Sequence, residues 1–169
     1  MAAWQSFLRA SILLLDSLDS ELDRHGMSLA DYEILVNLSA ESAGELRMTE
    51  LAARTLVSRS GLTRRLDRLV ESGLVERRNC PTDRRGVYAV LTELGRRRLE
   101  EAAPTHVEGV RRHFLSRMGG QDLQALAASL NAVVESAVGS ASPAANSCAT
   151  AAGPAGPPSG SSSPRSRPG

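Results

Sequence analysis

Arginines are concentrated in one segment of 45 residues, from Arg54 to Arg98. This segment holds 12 arginines and 5 acidic residues, a net charge of +7, whereas residues 1–50 hold 3 arginines and 9 acids. A guanidinium group stays charged and presents donors that match a phosphate or the edge of a guanine. A basic segment in an otherwise acidic chain therefore predicts a surface that binds a polyanion, most often nucleic acid.

The apolar pattern around these arginines predicts the elements that hold them. Thr49 is a candidate N-cap for a short helix, and Ser58 is a candidate N-cap for a second helix that ends at Gly73. Residues 74–78 and 87–91 have the features of two strands of a hairpin with arginines at its tip. A short helix, a turn, a second helix and a hairpin, in this order, are typical of a winged helix-turn-helix.

Helical spacing of apolar residues continues on both sides of this unit. Residues 4–24, 28–39, 93–118 and 121–138 are predicted to be helices, and Pro104 is expected to kink or break the third of them. The predicted fold class is therefore mainly α with a small β-hairpin. It is a winged helix-turn-helix with N- and C-terminal helices available for dimerisation.

The predicted domain organisation is one folded unit and a tail. The folded unit covers residues 1–138, with a DNA-binding lobe at about 31–98 between dimerisation helices at about 4–24 and 99–138. Residues 139–169 are nearly all Gly, Ala, Ser and Pro, so they are predicted to be disordered. The chain has no apolar run of about 18 residues and no signal peptide, which predicts a cytoplasmic protein without a membrane partner.

The first and last helices have long apolar sides that no other part of the chain is available to cover. We expect a second copy to bury them, because two-fold symmetry would then place two recognition helices about one DNA turn apart. The candidate interface and core residues are the large apolar side chains of these helices: Trp4, Phe7, Leu14, Leu18, Phe114, Leu123, Leu126 and Leu130.

The second helix of the motif has leucines along one side, which predicts the face that it turns inward. The outward residues near its N-terminus, Ser60, Thr63 and Arg64, are candidates for reading base edges, and Arg64 can pair with guanine. Asp83 is expected to support a wing arginine. The remaining predicted contacts are to the DNA backbone or, from the hairpin tip, to the minor groove: Arg47, Thr49, Arg59, Arg68, Arg84 and Arg85.

These arginines also have a plainer interpretation. Those of the second helix and of residues 96–98 could form a solvated helix surface with nearby acids. Arg65 lies close to the leucine face, so its stem is expected to pack and its role to be mainly structural. Residues 96–98 follow the hairpin and are expected to contact acids on the first helix.

Taken together in their order, these motifs resemble the MarR (multiple antibiotic resistance regulator) family of transcription factors over about residues 4–138. The motifs that carry the resemblance are residues 48–52 (MTELA), 60–69 (SGLTRRLDRL), 72–77 (SGLVER), 83–86 (DRRG) and 91–95 (LTELG). The resemblance implies a homodimeric repressor on a pseudo-palindromic double-stranded operator, with Arg85 in the minor groove. It also implies release from DNA by a small, often phenolic or anionic, effector.

Four alternatives stay open at this point. Cys80 lies among wing arginines and could act as a redox switch, or be a plain loop residue. His106 and His113, seven residues apart, could share a zinc ion with His25 or Glu108, although ordinary surface histidines are favoured and no metal is expected. A winged helix that binds protein would keep the fold without specific DNA binding. An enzyme is not favoured, because the chain shows no nucleophile with a base and no cofactor-binding motif.

Overall fold

The structure, a computed structural model, describes residues 1–55, 59–80 and 86–139. Its helices and strands are α1 (Ala2–Leu22), α2 (Leu29–Ser39), β1 (Glu45–Arg47), α3 (Met48–Arg54), α4 (Arg59–Glu71), β2 (Val75–Asn79), β3 (Val87–Leu91), α5 (Glu93–His113) and α6 (Gly120–Gly139). This order confirms the predicted mainly helical class. The predictions for Ser58, Asp83, Arg84, Arg85 and the C-terminal tail from residue 140 lie outside the described residues.

The predicted hairpin is confirmed by the antiparallel pairing of β2 with β3, and the sheet adds a third strand, β1. It has three antiparallel strands in the order β1-β3-β2, and Tyr88 of β3 is aligned with Arg47 of β1 on one side and with Arg78 of β2 on the other. The first helix of the motif, α3, begins at Met48, so Thr49 is not its N-cap. Its first turn is closed by the Glu50 carboxylate, which accepts from the backbone amide of Arg47 at 3.4 Å.

The N-terminus of α2 is held by side chains from two elements. The Ser28 hydroxyl oxygen accepts from the backbone amide of Asp31 at 3.2 Å, which is one half of a capping box. The Asp31 carboxylate, however, accepts from the Ser28 hydroxyl at 2.6 Å, where a capping box would use the backbone amide. Asp19 of α1 accepts from the amide of Leu29 at 2.6 Å, so α1 also caps α2.

The buried core lies between α2, α3, α4 and the sheet, and Leu22 at the end of α1 belongs to it. Its most completely buried large side chains are Leu22, Ile34, Leu35, Leu38, Leu51, Leu62, Leu66 and Val75. The leucine side of α4 is among them, as its spacing predicted, because each buried leucine there removes apolar area from water. This packing determines which side of α4 faces outward.

α5 continues through Pro104 and ends at His113, earlier than predicted, before a short 3₁₀ turn. Its end is joined to α1: Glu21 Oε1 lies 2.8 Å from His113 Nε2 and accepts from Arg112 Nη1 at 3.1 Å. The hydrogen bond with His113, assisted by the charge of Arg112, lowers the pKa of Glu21 below its ordinary value. Within the described residues, none of the helices is long and apolar enough to cross a bilayer.

Candidate nucleic-acid interface

The outer face of α4 is polar and basic. Ser60, Thr63, Arg64 and Arg68 are exposed on it, while Leu62 on the opposite side is buried. The predicted orientation of the helix is therefore confirmed. A helix placed in this way can present its first two turns to the major groove of DNA.

The inner edge of the same helix is tied to the start of α2. Arg65 Nη1 donates to the Ser28 hydroxyl oxygen at 2.9 Å and to Asp31 Oδ1 at 3.4 Å, so the predicted structural role of Arg65 is confirmed. Arg68 Nη2 lies 3.8 Å from the same Asp31 oxygen, but its side chain is 59% exposed. Arg68 can therefore leave Asp31 for a phosphate at little cost, because a long and exposed ion pair is worth little.

Sequence reasoning missed a second tie, between α4 and the sheet. The carboxylate of Asp67 on α4 lies 2.6 Å from Arg77 Nη1 of β2. The recognition helix is thus linked to α2 along one edge and to β2 along the other. The pairing of Asp67 with Arg77 could not be predicted from the sequence, because it depends on where β2 packs against α4.

Arg47 and Thr49 were both predicted to contact the DNA backbone, and the structure separates them. Thr49 is exposed in the first turn of α3. Arg47 is half-buried and directed over the sheet: its Nε donates to Tyr88 Oη at 3.2 Å and its Nη2 to Cys80 Sγ at 3.5 Å. These two donors of Arg47 contact protein atoms at the base of the wing, and its predicted contact with the DNA backbone stays a prediction.

Cys80 is buried, with 5% of its surface exposed. Its backbone amide donates to the carbonyl of Gly86 at 2.8 Å, which joins the two described residues that flank segment 81–85. A redox-sensing cysteine is usually accessible as well as activated. Burial therefore disfavours the redox interpretation and supports a packing role.

Each of the four candidate zinc ligands contacts a different protein group. These candidates are His25, His106, His113 and Glu108. His25 shares a hydrogen bond of 2.7 Å with the Thr105 hydroxyl, and Glu108 accepts from Arg111 Nε at 2.8 Å. The ring of His106 packs against that of Tyr32 with centroids 4.5 Å apart, and burial lowers the pKa of its imidazole. In the described ranges no three His, Cys, Asp or Glu side chains are grouped to hold a metal ion.

The arginines at positions 96–98 do not pair with α1, which corrects that prediction. Arg97 lies 3.7 Å from Glu93, and Arg98 lies 3.3 Å from Glu101, both within α5 itself. Spacings of three and four residues place these charges side by side on the helix surface. They form the solvated surface that was the plainer interpretation of this run.

The apolar faces of the terminal helices lie uncovered in the single protomer. The side chains of Trp4, Leu8, Ile12 and Leu15, three or four residues apart on α1, are between 40% and 58% exposed. A groove of about 490 Å³ between α1 and α6 is lined by predicted interface residues, namely Phe7, Leu14, Phe114, Leu126 and Leu130. Leu123 is half-buried on α6. Leu18 is only 5% exposed and so belongs to the core of the protomer, while its predicted place in the dimer interface stays a prediction.

This fold, with an exposed basic face on α4 and a sheet beside it, defines a DNA-binding transcriptional regulator of the winged helix-turn-helix class. Residues 25–86 match the profile described as "MarR family". AbsC, a MarR-family regulator of Streptomyces coelicolor, is 40% identical, with 82% of this chain and 93% of that chain covered and a TM-score of 0.78. The chain therefore belongs to the MarR family.

Two further relatives agree with this assignment. Sco3205 of S. coelicolor, a MarR-family regulator solved in complex with DNA, is 38% identical over 80% of this chain and 85% of that one, with a TM-score of 0.77. The transcriptional regulator PecS of Dickeya dadantii is 29% identical over 74% of this chain and 75% of that protein. The relatives are named as regulators of transcription, and their names describe no enzyme.

Proposed function

We propose that this protein is a homodimeric repressor that occupies a pseudo-palindromic operator and leaves it when a small anionic ligand binds. The observation that carries the proposal is the outer face of α4, where Ser60, Thr63, Arg64 and Arg68 are exposed together. A relative with 38% identity binds DNA in its crystal, which supports a DNA partner here. Such a partner supports a cytoplasmic location, and no enzymatic activity is proposed.

In this proposal the base edges are read from the start of α4. Arg64 is placed to form a bidentate pair with a guanine, while Ser60 and Thr63 contact adjacent bases. Contacts that position the protein without reading sequence are assigned to Thr49, Arg59 and Arg68. The wing arginines, Arg84 and Arg85, are assigned to the adjacent minor groove, with Asp83 supporting them.

The uncovered apolar faces of α1 and α6 support the second copy. Exposed side chains of this size rarely form a continuous stripe on a monomer, and burying them would favour association. A symmetric dimer would carry two α4 helices, matching the two half-sites of a pseudo-palindrome.

Replacing Arg64 with alanine tests the reading of DNA. Loss of a bidentate guanine contact is expected to weaken operator binding by roughly 10–100-fold while binding to an unrelated duplex changes far less. Fluorescence anisotropy on the upstream intergenic DNA of its own gene, over a salt series, would measure this. Arg97→Ala is the matched control, because Arg97 is 57% exposed and lies outside α4.

Two results would contradict the proposal. An Arg64→Ala protein that binds the operator as tightly as the unchanged protein would remove α4 from base reading. Equally weak binding of both duplexes by the unchanged protein, at every salt concentration, would favour a winged helix with a protein partner. A selection of bound fragments from genomic DNA would distinguish that case from a wrong choice of promoter.

A cleft of about 670 Å³ between the start of α2 and the C-terminal half of α4 supports an anionic effector. Arg68 and Arg98 lie on its wall, and Met27 and Leu69 contribute apolar surface. Two guanidinium groups beside apolar side chains suit an aromatic carboxylate. Because Arg68 also faces Asp31 and is proposed to contact phosphate, a ligand carboxylate that attracts Arg68 would compete with DNA.

Arg98→Gln tests this cleft with 2-hydroxybenzoate as the probe. Loss of one guanidinium is expected to raise the concentration needed for half-release of operator DNA by about tenfold, as expected for a charge-assisted hydrogen bond. Affinity for DNA without the probe should stay unchanged, since Arg98 is not assigned to DNA. The control is Arg111→Gln, farther along α5 and 66% exposed. If Arg98→Gln and Arg111→Gln release operator DNA at the same concentration of 2-hydroxybenzoate, the cleft is not the site where the probe acts.

A further inference from the structure

At the base of the wing, the side chain of Arg47 links the three strands of the sheet. Arg47 lies on β1, directly opposite Tyr88 of β3, and Arg78 of β2 is opposite Tyr88 on its other side. Side chains of directly opposed residues project from the same face of a sheet. Cys80 is two residues beyond Arg78, so it belongs to that face as well.

The contacts of Arg47 follow from this register. Its guanidinium carbon lies 5.5 Å from the centroid of the Tyr88 ring, within the range of a cation–π contact. From there one nitrogen reaches Tyr88 Oη and another reaches Cys80 Sγ, across the full width of the sheet. A second link in the same direction joins Arg78 of β2 to Glu45 of β1. The edge strand β1 is thus bound to β2 over the top of β3.

This arrangement acts where the wing begins. The Cys80 amide and the Gly86 carbonyl form the described hydrogen-bonded pair of the hairpin that is nearest to residues 81–85. A two-stranded ribbon twists and bends more easily than a sheet in which side chains bridge three strands. The contact of Arg47 with Cys80 therefore holds the described residue that directly precedes segment 81–85.

We infer that Arg47 is a positioning residue for the wing: it binds the start of the wing to β1 through Tyr88 and Cys80, and acts on DNA only through the wing arginines. The inference rests on the proposed function, in which Arg85 enters the minor groove. A positioning role for Arg47 differs from a direct phosphate contact by Arg47 in one measurable respect. A positioning residue has no effect once the group that it positions has been removed.

A double-mutant cycle on operator DNA tests the inference, with the unchanged protein, Arg47→Gln, Arg85→Ala and the double variant measured by anisotropy. Arg47→Gln alone is expected to weaken binding by about tenfold, yet to add no more than about twofold in the Arg85→Ala background. In that background it should also leave the dependence of affinity on salt unchanged. An independent phosphate contact would instead lower the slope of log K against log salt by about 0.9 in both backgrounds.

A second measurement needs no DNA. In a Cys148→Ser background Cys80 is the remaining cysteine of the chain, and its rate of alkylation by iodoacetamide reports opening of the wing base. Arg47→Gln and Tyr88→Phe are each expected to raise this rate, with the larger increase, about tenfold, for Arg47→Gln. Arg47→Lys keeps the charge but not the planar fork, so it should behave like Arg47→Gln. Circular dichroism and thermal melting check that the variants stay folded.

The outcomes separate the inference from the proposed function. The positioning role is wrong if the affinity losses of Arg47→Gln and Arg85→Ala multiply in the double variant. It is also wrong if Arg47→Lys binds DNA almost normally and Cys80 is alkylated at an unchanged rate. Either result would leave the wing contact intact. If Arg85→Ala binds the operator normally, the wing contact of the proposed function is wrong, and the inference falls with it. Coupled losses together with faster alkylation would support both.

Discussion

Replacing Leu8 and Ile12 with glutamate is expected to separate the proposed dimer into monomers and to weaken operator binding by at least about 100-fold. Both side chains lie on the exposed apolar stripe of α1, at 40% and 58% exposure, so the change should not disturb the core of the protomer. In a symmetric dimer both protomers would bury the new carboxylates at the interface without an opposite charge beside them, which strongly opposes association. Binding would then lose the second half-site as well.

Sedimentation equilibrium would measure the association, and anisotropy on the operator would measure the affinity. The matched control is the pair Ala2→Glu and Ser20→Glu, which adds the same charge to exposed positions of α1 away from the stripe. The control should remain dimeric. A Leu8→Glu, Ile12→Glu protein that still sediments as a dimer would show that this stripe is not the interface.

Gly95→Ala is expected to destabilise the folded protein by roughly 3 kcal/mol or more. A methyl group at this position would lie 2.1 Å from the carbonyl oxygen of Leu74 and 2.8 Å from Leu91 Cδ1. Gly95 is in the first turn of α5, where its amide donates to Thr92 Oγ1 at 2.9 Å. Because the clash is with backbone, relief requires α5 to move away from the start of β2. Thermal unfolding should show a fall in Tm of roughly 10 °C.

Two other glycines serve as controls for this prediction. Gly120→Ala should be neutral or mildly stabilising, since nothing lies within 4 Å of the added methyl group and alanine favours the helix. The Tm of Gly109→Ala should fall between those of Gly95→Ala and Gly120→Ala. The atom closest to its added methyl group, at 2.5 Å, is a carboxylate oxygen of Glu21, a side chain that can shift. A Tm for Gly95→Ala close to that of Gly120→Ala would contradict the tight approach of α5 to β2.

Features with local periodicity could be predicted from the sequence. The leucine spacing of α4 was sufficient to assign its buried side and to place Ser60, Thr63 and Arg64 outward, because one helical repeat determines both faces. Gly73 was predicted to end the second helix of the motif, and it lies just beyond the end of α4 with a φ of 72°.

Predictions that needed a partner distant in the chain were less successful. The segment 45–47 is only three residues long, and its alignment with β3, which is distant in the chain, makes it a third strand. Leu18 has the same spacing as the residues exposed for a second copy, yet it is buried within the protomer. Both outcomes depend on how helices and strands pack, which local patterns do not encode.

The sequence by itself determined the class of protein, the basic reading helix and the order of its elements, since charge, caps and apolar repeat are properties of neighbouring residues. Only the tertiary structure decided how individual arginines are used. Arg47, Arg65 and Arg77 carry the same guanidinium group as Arg64, so residue type alone does not name their partners. The structure directs these three to Tyr88, Asp31 and Asp67, because an arginine side chain bonds to whatever acceptor the fold brings within its reach.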